Sequence, residues 1–310
     1  MSEPVDSPSG PAAHPDGGDP YSASRPRLKE MEVIVAEVVP ETSDSATLVL
    51  FTGNDRLDYQ PGHFLTIRPQ QFPTLEGICR YFEDVKGRRE PARAYSLSSA
   101  PHEGLLAITV KQERYVSGVT RYPPLLSPLL VFHTPPGSRM RVTGFGGPYV
   151  LPPDIEKRTD HLVHICAGSG IVPNFSILKH CLATGMNLRH TLIYGNRTWG
   201  DVIFRNALEE LALRHPDRLS IFHALSREPE PGIFGPNVRG GRVDGSLLGE
   251  LVADPGAVEV FTCGPAVGKY ERQAAADKGE PMPPRFLETV LKALDDLGVP
   301  GDKIHHESYG

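Results

Sequence analysis

From residue 31 to residue 144 the apolar positions come in short, β-rich runs: MEVIVAEVV (31–39), ATLVLFTG (46–53), HFLTIRP (63–69), ARAYSLSS (92–99), LLAITVKQ (105–112) and RMRVTG (139–144). Turn-forming Gly, Pro, Asn and Asp separate them and no helical period intervenes, a pattern that predicts a small antiparallel barrel or sandwich. One interval breaks the pattern: 70–91 reads as an excursion containing a single helical turn. From about residue 158 the rhythm changes. Strand-like HLVHICAG (161–168), HTLIYGN (190–196), LSIFHALS (219–226), VEVFTCG (258–264) and KIHHESY (303–309) alternate with helical patterns. In those helices Phe175, Leu178 and Leu182 share a face, as do Phe204, Leu208 and Leu211, and Leu287, Leu291 and Leu294. Pro283-Pro284 and Gly298 supply start and stop signals for the last of them. Alternation of this kind predicts a five-stranded parallel sheet with right-handed crossovers and helices on both faces. The expected organisation is a leader over 1–27, an antiparallel β-barrel domain over 28–151, and a Rossmann-like α/β domain over 158–310. The Pro-rich stretch GGPYVLPPD (146–154) serves as the linker.

Charge and cysteine usage narrow the function. The chain has 32 Lys+Arg against 38 Asp+Glu, a formal net charge of −6. A general nucleic-acid binder would carry a basic surplus. No window reaches the roughly 18 consecutive apolar residues of a membrane span. The first 27 residues hold six Pro, three Gly and five Ser but no apolar run, the composition of a disordered leader rather than a signal peptide. Cys79, Cys166, Cys181 and Cys263 lack metal or cluster spacing, so neither an iron–sulfur centre nor any other metal site is expected, and reduced thiols suit a cytoplasmic protein.

Candidate chemistry begins at CAGSGIVP, where Gly168 and Gly170 fall between an apolar strand and a helix. There the backbone can approach a pyrophosphate, and the helix N-terminus offers free N–H groups and partial positive charge. Pro173 stands where a third glycine is usual, in a first turn that loses nothing by a missing N–H. A plain strand-to-helix turn would look the same locally. Three further strand ends are unusual, YGNRTWGDVIF, HALSREP and FTCGP, and ligands of open parallel sheets gather at the carboxyl ends of strands. Cys263 reads either as a small buried residue or as a small, soft group beside a nicotinamide ring.

RAYSLSS (93–99), GSGIVP (168–173), YGNRT (194–198), CGP (263–265) and HHESYG (305–310) occur in this order and at suitable separations. Together they resemble the ferredoxin–NADP reductase superfamily, in which a flavin-binding β-barrel precedes a nicotinamide-nucleotide domain. The match runs over nearly the whole chain after residue 28 and is closest to the reductase components of bacterial oxygenases and the reductase modules of flavohaemoglobins. The resemblance implies a flavin site in which Arg93 holds a phosphate, Ala94 and Tyr95 lie along the isoalloxazine, and Ser96 hydrogen-bonds near flavin N5. A guanidinium suits phosphate and a phenol offers a flat apolar face with a polar tip. Val110 and Lys111 fall where the ribityl chain or pyrophosphate is often lined. Gly118, Val119 and Thr120 are the candidates for the second phosphate element, although Pro123-Pro124 after them is atypical. The barrel-closing segment also departs, reading GFGGPY (144–149), and 267–284 is longer than in many relatives.

In the nucleotide half the resemblance assigns Gly168, Gly170, Pro173, Asn196, Arg197, Cys263, Gly264 and Pro265 to NAD(P)H. Ser226 and Arg227, just past the third strand, sit where phosphate-selective relatives place a Ser/Arg pair, with Arg197 a second candidate. NADPH is therefore preferred over NADH. Glu307 and Tyr309 fit the carboxylate and terminal aromatic that position the rings. The neighbouring His305 and His306 point to opposite faces of a strand and share no metal. The implied activity is that of a flavin-dependent NAD(P)H oxidoreductase, with FAD rather than FMN, passing electrons to a separate acceptor such as a ferredoxin, an oxygenase component or a haem protein. Its expected inner shell is Ser96, Cys263, Glu307 and Tyr309. The alternative is a non-catalytic flavin- or nucleotide-binding protein with a regulatory or assembly role.

Overall fold

The computed structural model describes residues 30–53, 57–115, 120, 122–279 and 281–309. In the first half, alternation sends every second residue inward. From β1 (Glu30–Thr42) these are Met31, Val33 and Val35, and from β2 (Ser45–Phe51) Leu48 and Leu50. They meet Leu65 and Ile67 of β3 (Phe64–Ile67) in one apolar core. The chain then runs through α1 (Glu76–Lys86), β4 (Arg93–Ser96), β5 (Leu106–Lys111), α2 (Ser127–Phe132) and β6 (Arg139–Gly146). The strands order as β4-β3-β6-β1-β2-β5, all antiparallel. A bridge from Leu97 to Ile108 returns the β4 end to β5 and closes the sheet into a barrel. The 70–91 excursion corrects the expectation of one helical turn, since α1 has 11 residues. Cys79 and Phe82 anchor it on Leu125; its start at Leu75 carries no side-chain cap, while Gly87 ends it in left-handed conformation.

After α3 (Ile155–Arg158) the chain alternates: β7 (His161–Ala167), α4 (Ile171–Ala183), β8 (Arg189–Asn196), α5 (Arg205–Arg214), β9 (Leu219–Leu225), β10 (Val238–Gly240), α6 (Gly245–Leu251), β11 (Glu259–Pro265), α7 (Lys269–Lys278), α8 (Phe286–Asp296) and β12 (Ile304–Tyr309). The sheet is parallel with order β10-β9-β8-β7-β11-β12. It has six strands rather than the expected five. The extra one, β10, is three residues long, too short to carry a periodic signal. Phe204 does not extend α5 but caps it in left-handed conformation, φ 60°, with its N–H donated to Glu41 Oε2 at 3.2 Å.

Side chains of α4 and α5 cover one face of this sheet, and those of α6 and α8 the other. Strand order runs outward from β7 in both directions, so the topological switch point falls between β7 and β11, where ligands of open α/β sheets bind. The barrel is held against that edge. Ser176 Oγ on α4 donates to Ser99 O at 2.7 Å, and Lys179 pairs with Glu103 at 2.6 Å. Tyr149 and Leu151 of the connecting stretch are buried against Phe261 and Cys263.

Candidate active site

At the switch point the two halves meet through side chains. Ser96, at the end of β4, receives a hydrogen bond from the Tyr309 hydroxyl at 2.5 Å and donates to Glu307 Oε2 at 3.4 Å. Glu307 and Tyr309 are two apart on β12 and so lie on one face. Glu307 stands in register with Cys263 on β11, and Cys263 in register with Cys166 on β7. Cys263 is fully buried. Ser96, Cys263, Glu307 and Tyr309 thus converge from three strands of two sheets. Burial pushes the Glu307 carboxyl up to about 7 against the opposing pull of the Ser96 hydroxyl, so it exchanges a proton near neutral pH. Burial likewise raises the Cys263 thiol far above its ordinary value, so it stays protonated and is no nucleophile.

The backbone around this group is tightly shaped. Gly168 begins a 3₁₀ turn with φ +54°, and its carbonyl accepts from the Tyr194 hydroxyl at 2.9 Å. A Cβ on Gly170 would lie 2.1 Å from the Cys263 carbonyl oxygen, so only glycine lets the turn lie on β11. Asn174 Nδ2 donates to Gly170 O at 3.1 Å, and Asn174 Oδ1 accepts from Tyr149 at 3.1 Å and contacts His164 Nδ1 at 3.0 Å. No side chain caps the start of α4, whose first N–H, that of Ile171, is donated to the carbonyls of Gly168 and Ser169, and Pro173 sits in that turn. Gly264 and Pro265 extend β11 beyond Cys263.

At the neighbouring strand ends, Ser226 N donates to Asn196 O at 3.0 Å and Arg227 N to Arg197 O at 2.8 Å. The side chains of Arg197, Ser226 and Arg227 are exposed together at this edge. Asn196 Oδ1 and Nδ2 are both buried without a hydrogen-bond partner among the described residues, an acceptor and a donor open to a bound group.

The barrel side is less uniform. Arg93 is half-exposed. Its Nη2 donates to Glu90 Oε2 at 2.7 Å and its Nη1 to Pro91 O at 2.8 Å. Ala94 is exposed, and Tyr95 packs half-buried on the barrel core. Burial raises the Tyr95 hydroxyl above its ordinary range. Val110 and Lys111 are not brought to this group: the Val110 side chain lies in the barrel core, and Lys111 reaches Asp44 at 3.2 Å. Thr120 is half-buried, while Gly118 and Val119 lie outside the described residues. Sequence reasoning passed over Asn174, whose polar side chain inside the apolar run IVPNFSIL was its signal, and Glu90, which sits in a charged stretch that resembles surface. Among the described residues no group of His, Cys, Asp and Glu is placed to hold a metal, and no helix is long and apolar enough to cross a membrane.

Comparison with known proteins agrees with this architecture. Residues 164–268 match the model of the oxidoreductase NAD-binding domain family. The ferredoxin reductase component of 3-ketosteroid-9-alpha-monooxygenase from Mycolicibacterium smegmatis is 35% identical over 286 residues, covering 90% of this chain and 65% of that protein. The flavohemoprotein of Halalkalibacterium halodurans is 26% identical over 281 residues, covering 86% of this chain and 57% of that protein. This chain therefore spans between 57% and 65% of the length of these curated relatives. Among solved structures, the FAD/NAD-binding domain of nitric oxide dioxygenase from Vibrio cholerae superimposes with a TM-score of 0.67 at 24% identity, covering 90% of this chain and 98% of that one. The ferredoxin reductase in carbazole 1,9a-dioxygenase gives 0.63 at 20%, covering 91% and 70%. A closed antiparallel barrel, a parallel sheet with its glycine turn at the switch point, and these relatives agree: residues 164–268 form an oxidoreductase NAD-binding domain, in a chain similar over 90% of its length to a ferredoxin reductase component.

Proposed function

We propose that the protein is a flavin-dependent NAD(P)H oxidoreductase that binds FAD and passes electrons from a nicotinamide nucleotide to a separate one-electron acceptor. One observation carries this reading: Ser96 from the barrel meets Glu307 and Tyr309 from the parallel sheet, beside Cys263, at the place where two ring systems would have to stack. The residues present fit both groups. Arg93 is partly exposed, with its plane held by Glu90 and Pro91 O, Tyr95 offers a half-buried ring, the 168–170 turn brings backbone close to β11, and Asn196 Oδ1 is an acceptor with no hydrogen-bond partner among the described residues.

Bound FAD supplies the chemistry of accepting a hydride as an electron pair and releasing electrons singly. The chain supplies position. Since reacting atoms must approach to about 3–3.5 Å, the fixed backbone from Gly170 to Cys263 sets where the nicotinamide can lie. Arg93 holds the flavin phosphate, with Thr120 and the backbone of Gly118 and Val119 as the second phosphate element. Ser96 Oγ, between Tyr309 and Glu307, holds or releases a proton with the Glu307 carboxyl as its reservoir. Cys263, neutral and small, closes the floor beside the nicotinamide without competing for it. Arg197, Ser226 and Arg227 recognise a 2′-phosphate, which favours NADPH over NADH. The acceptor is an oxygenase component, a ferredoxin or a haem protein, in keeping with the reductase-component relatives, and the protein acts in the cytoplasm.

Anaerobic mixing of the purified protein with NADPH and then NADH tests this. The expected result is a bound oxidised-flavin spectrum that bleaches with either nucleotide, faster with NADPH. A flavin-free protein overturns the proposal. A flavin that neither nucleotide reduces would leave a non-catalytic binding protein.

A further inference from the structure

The excursion that carries α1 ends in a buried ionic cluster. Glu90 is three residues before Arg93, and its side chain is 1% exposed. Its carboxylate is split between two cations, with Oε1 on Lys86 Nζ at 2.5 Å and Oε2 on Arg93 Nη2 at 2.7 Å. The backbone on either side is pinned as well. Glu90 N donates to Glu83 Oε1 at 3.1 Å, and Gln70 Nε2 donates to both Glu90 O at 2.8 Å and Glu83 Oε1 at 2.9 Å. The Lys86 ammonium sits 4.4 Å from the ring centroids of both Phe82 and Tyr122, and those rings meet edge-on at 5.3 Å.

Burying the Glu90 carboxylate is expensive, and an apolar side chain of the same volume would stabilise the fold as well or better. A role in orientation explains the arrangement. A guanidinium has five N–H donors, and Arg93 spends one on Glu90 and one on Pro91 O. Both bonds fix its plane, and at 36% exposure the remaining edge faces outward. Two-pronged phosphate recognition depends on that plane being fixed. Lys86 gives the Glu90 carboxylate a second cation, so Arg93 is oriented without being its sole counter-charge. Through Tyr122 the same ammonium reaches the segment that follows Gly118, Val119 and Thr120.

We propose that Glu90 is the positioning residue for the Arg93 guanidinium, and that α1 is a strut bracing this pair against Tyr122 through Lys86. This rests on the reading of Arg93 as a flavin-phosphate ligand. Charge and geometry predict opposite signs for its removal. Glu90→Gln removes one negative charge beside Arg93, which by charge alone would tighten an anionic ligand, whereas loss of the fixed plane loosens it.

The test strips flavin from the full chain and titrates it with FAD, FMN and riboflavin, following flavin fluorescence and the melting temperature of each apoprotein. Glu90→Gln is expected to weaken FAD and FMN roughly tenfold, the size of one charge-assisted hydrogen bond, and to leave riboflavin unchanged. Glu90→Asp, which keeps the charge but shortens the reach to Arg93, is expected to act in the same direction and serves if Glu90→Gln does not fold. Tighter FAD binding, an equal loss for all three flavins, or no change in either variant overturns the proposal. Arg93→Ala separates the layers. If that variant binds FAD normally, the flavin-phosphate reading of Arg93 has failed. If it weakens FAD while Glu90→Gln does not, only the role of Glu90 has failed.

Discussion

On the function proposed above, the strand-to-helix turn at 168–170 and the RAYS strand face the same task, holding a phosphate, and the chain builds them differently. At 168–170 the receptor is backbone: two glycines, one with positive φ, lying so close to β11 that no Cβ fits at Gly170. At Arg93 the receptor is a side chain, held by Glu90 and Pro91 O, with Lys86 behind it. A backbone receptor is shaped by its own few residues and fails when one atom is added. A side-chain receptor depends on partners several residues away and fails gradually as they are removed.

The sharpest way to break that contrast is Gly170→Ala. Displacing the turn from Cys263 is expected to slow NADPH-driven flavin reduction by roughly 100-fold or more, the upper end of overpacking costs, in stopped-flow traces. A variant within a few-fold of the parent would show that the turn has slack. Arg93→Ala comes next. Losing a charged phosphate contact is expected to weaken FAD roughly 10- to 100-fold by equilibrium titration, while the melting temperature of the apoprotein stays close to the parent.

Glu307→Gln sharpens the comparison at the junction of the two halves. The rate of flavin reduction is expected to change through pH 7 in the parent and to be flat there in the variant. Stability carries the same signature. Because the folded carboxyl titrates at about 7, above its ordinary 4.5, the folded chain holds a proton that the unfolded chain releases. Its contribution is therefore fully present below about 4.5 and lost as pH rises to about 7, so the urea midpoint of the parent should fall relative to that of Glu307→Gln across this window and run parallel above it. Arg227→Ala is the mildest change, expected to lower the NADPH-to-NADH preference about tenfold with NADH rates unchanged, as steady-state kinetics with each nucleotide would report.

The same contrast explains what could be read from the chain. Gly168 and Gly170 between an apolar strand and a helix are local, as are the six alternating runs that became β1 to β6, so the barrel, the parallel sheet and the turn were all legible. The excursion was not. Leu75, Cys79 and Phe82 have helical spacing, but Leu75 caps nothing and the intervening Glu, Arg and Asp residues look like a solvated loop. Glu90 lies in GRREPAR, where a carboxylate among arginines reads as surface, and only the fold shows that it is buried. Val110 illustrates the opposite failure. Its position matched a cofactor-lining place, but the period-2 alternation of β5 sends its side chain into the barrel with Leu106 and Ile108.

Ser96 is separated from Glu307 by 211 residues and from Tyr309 by 213. Contacts of such span form late in folding, because closing so large a loop has to await the local elements at each end. The hydroxyl–carboxyl–phenol cluster therefore marks completion of assembly. A copy with only one half organised lacks this cluster, because Ser96 comes from the barrel and Glu307 and Tyr309 from the parallel sheet.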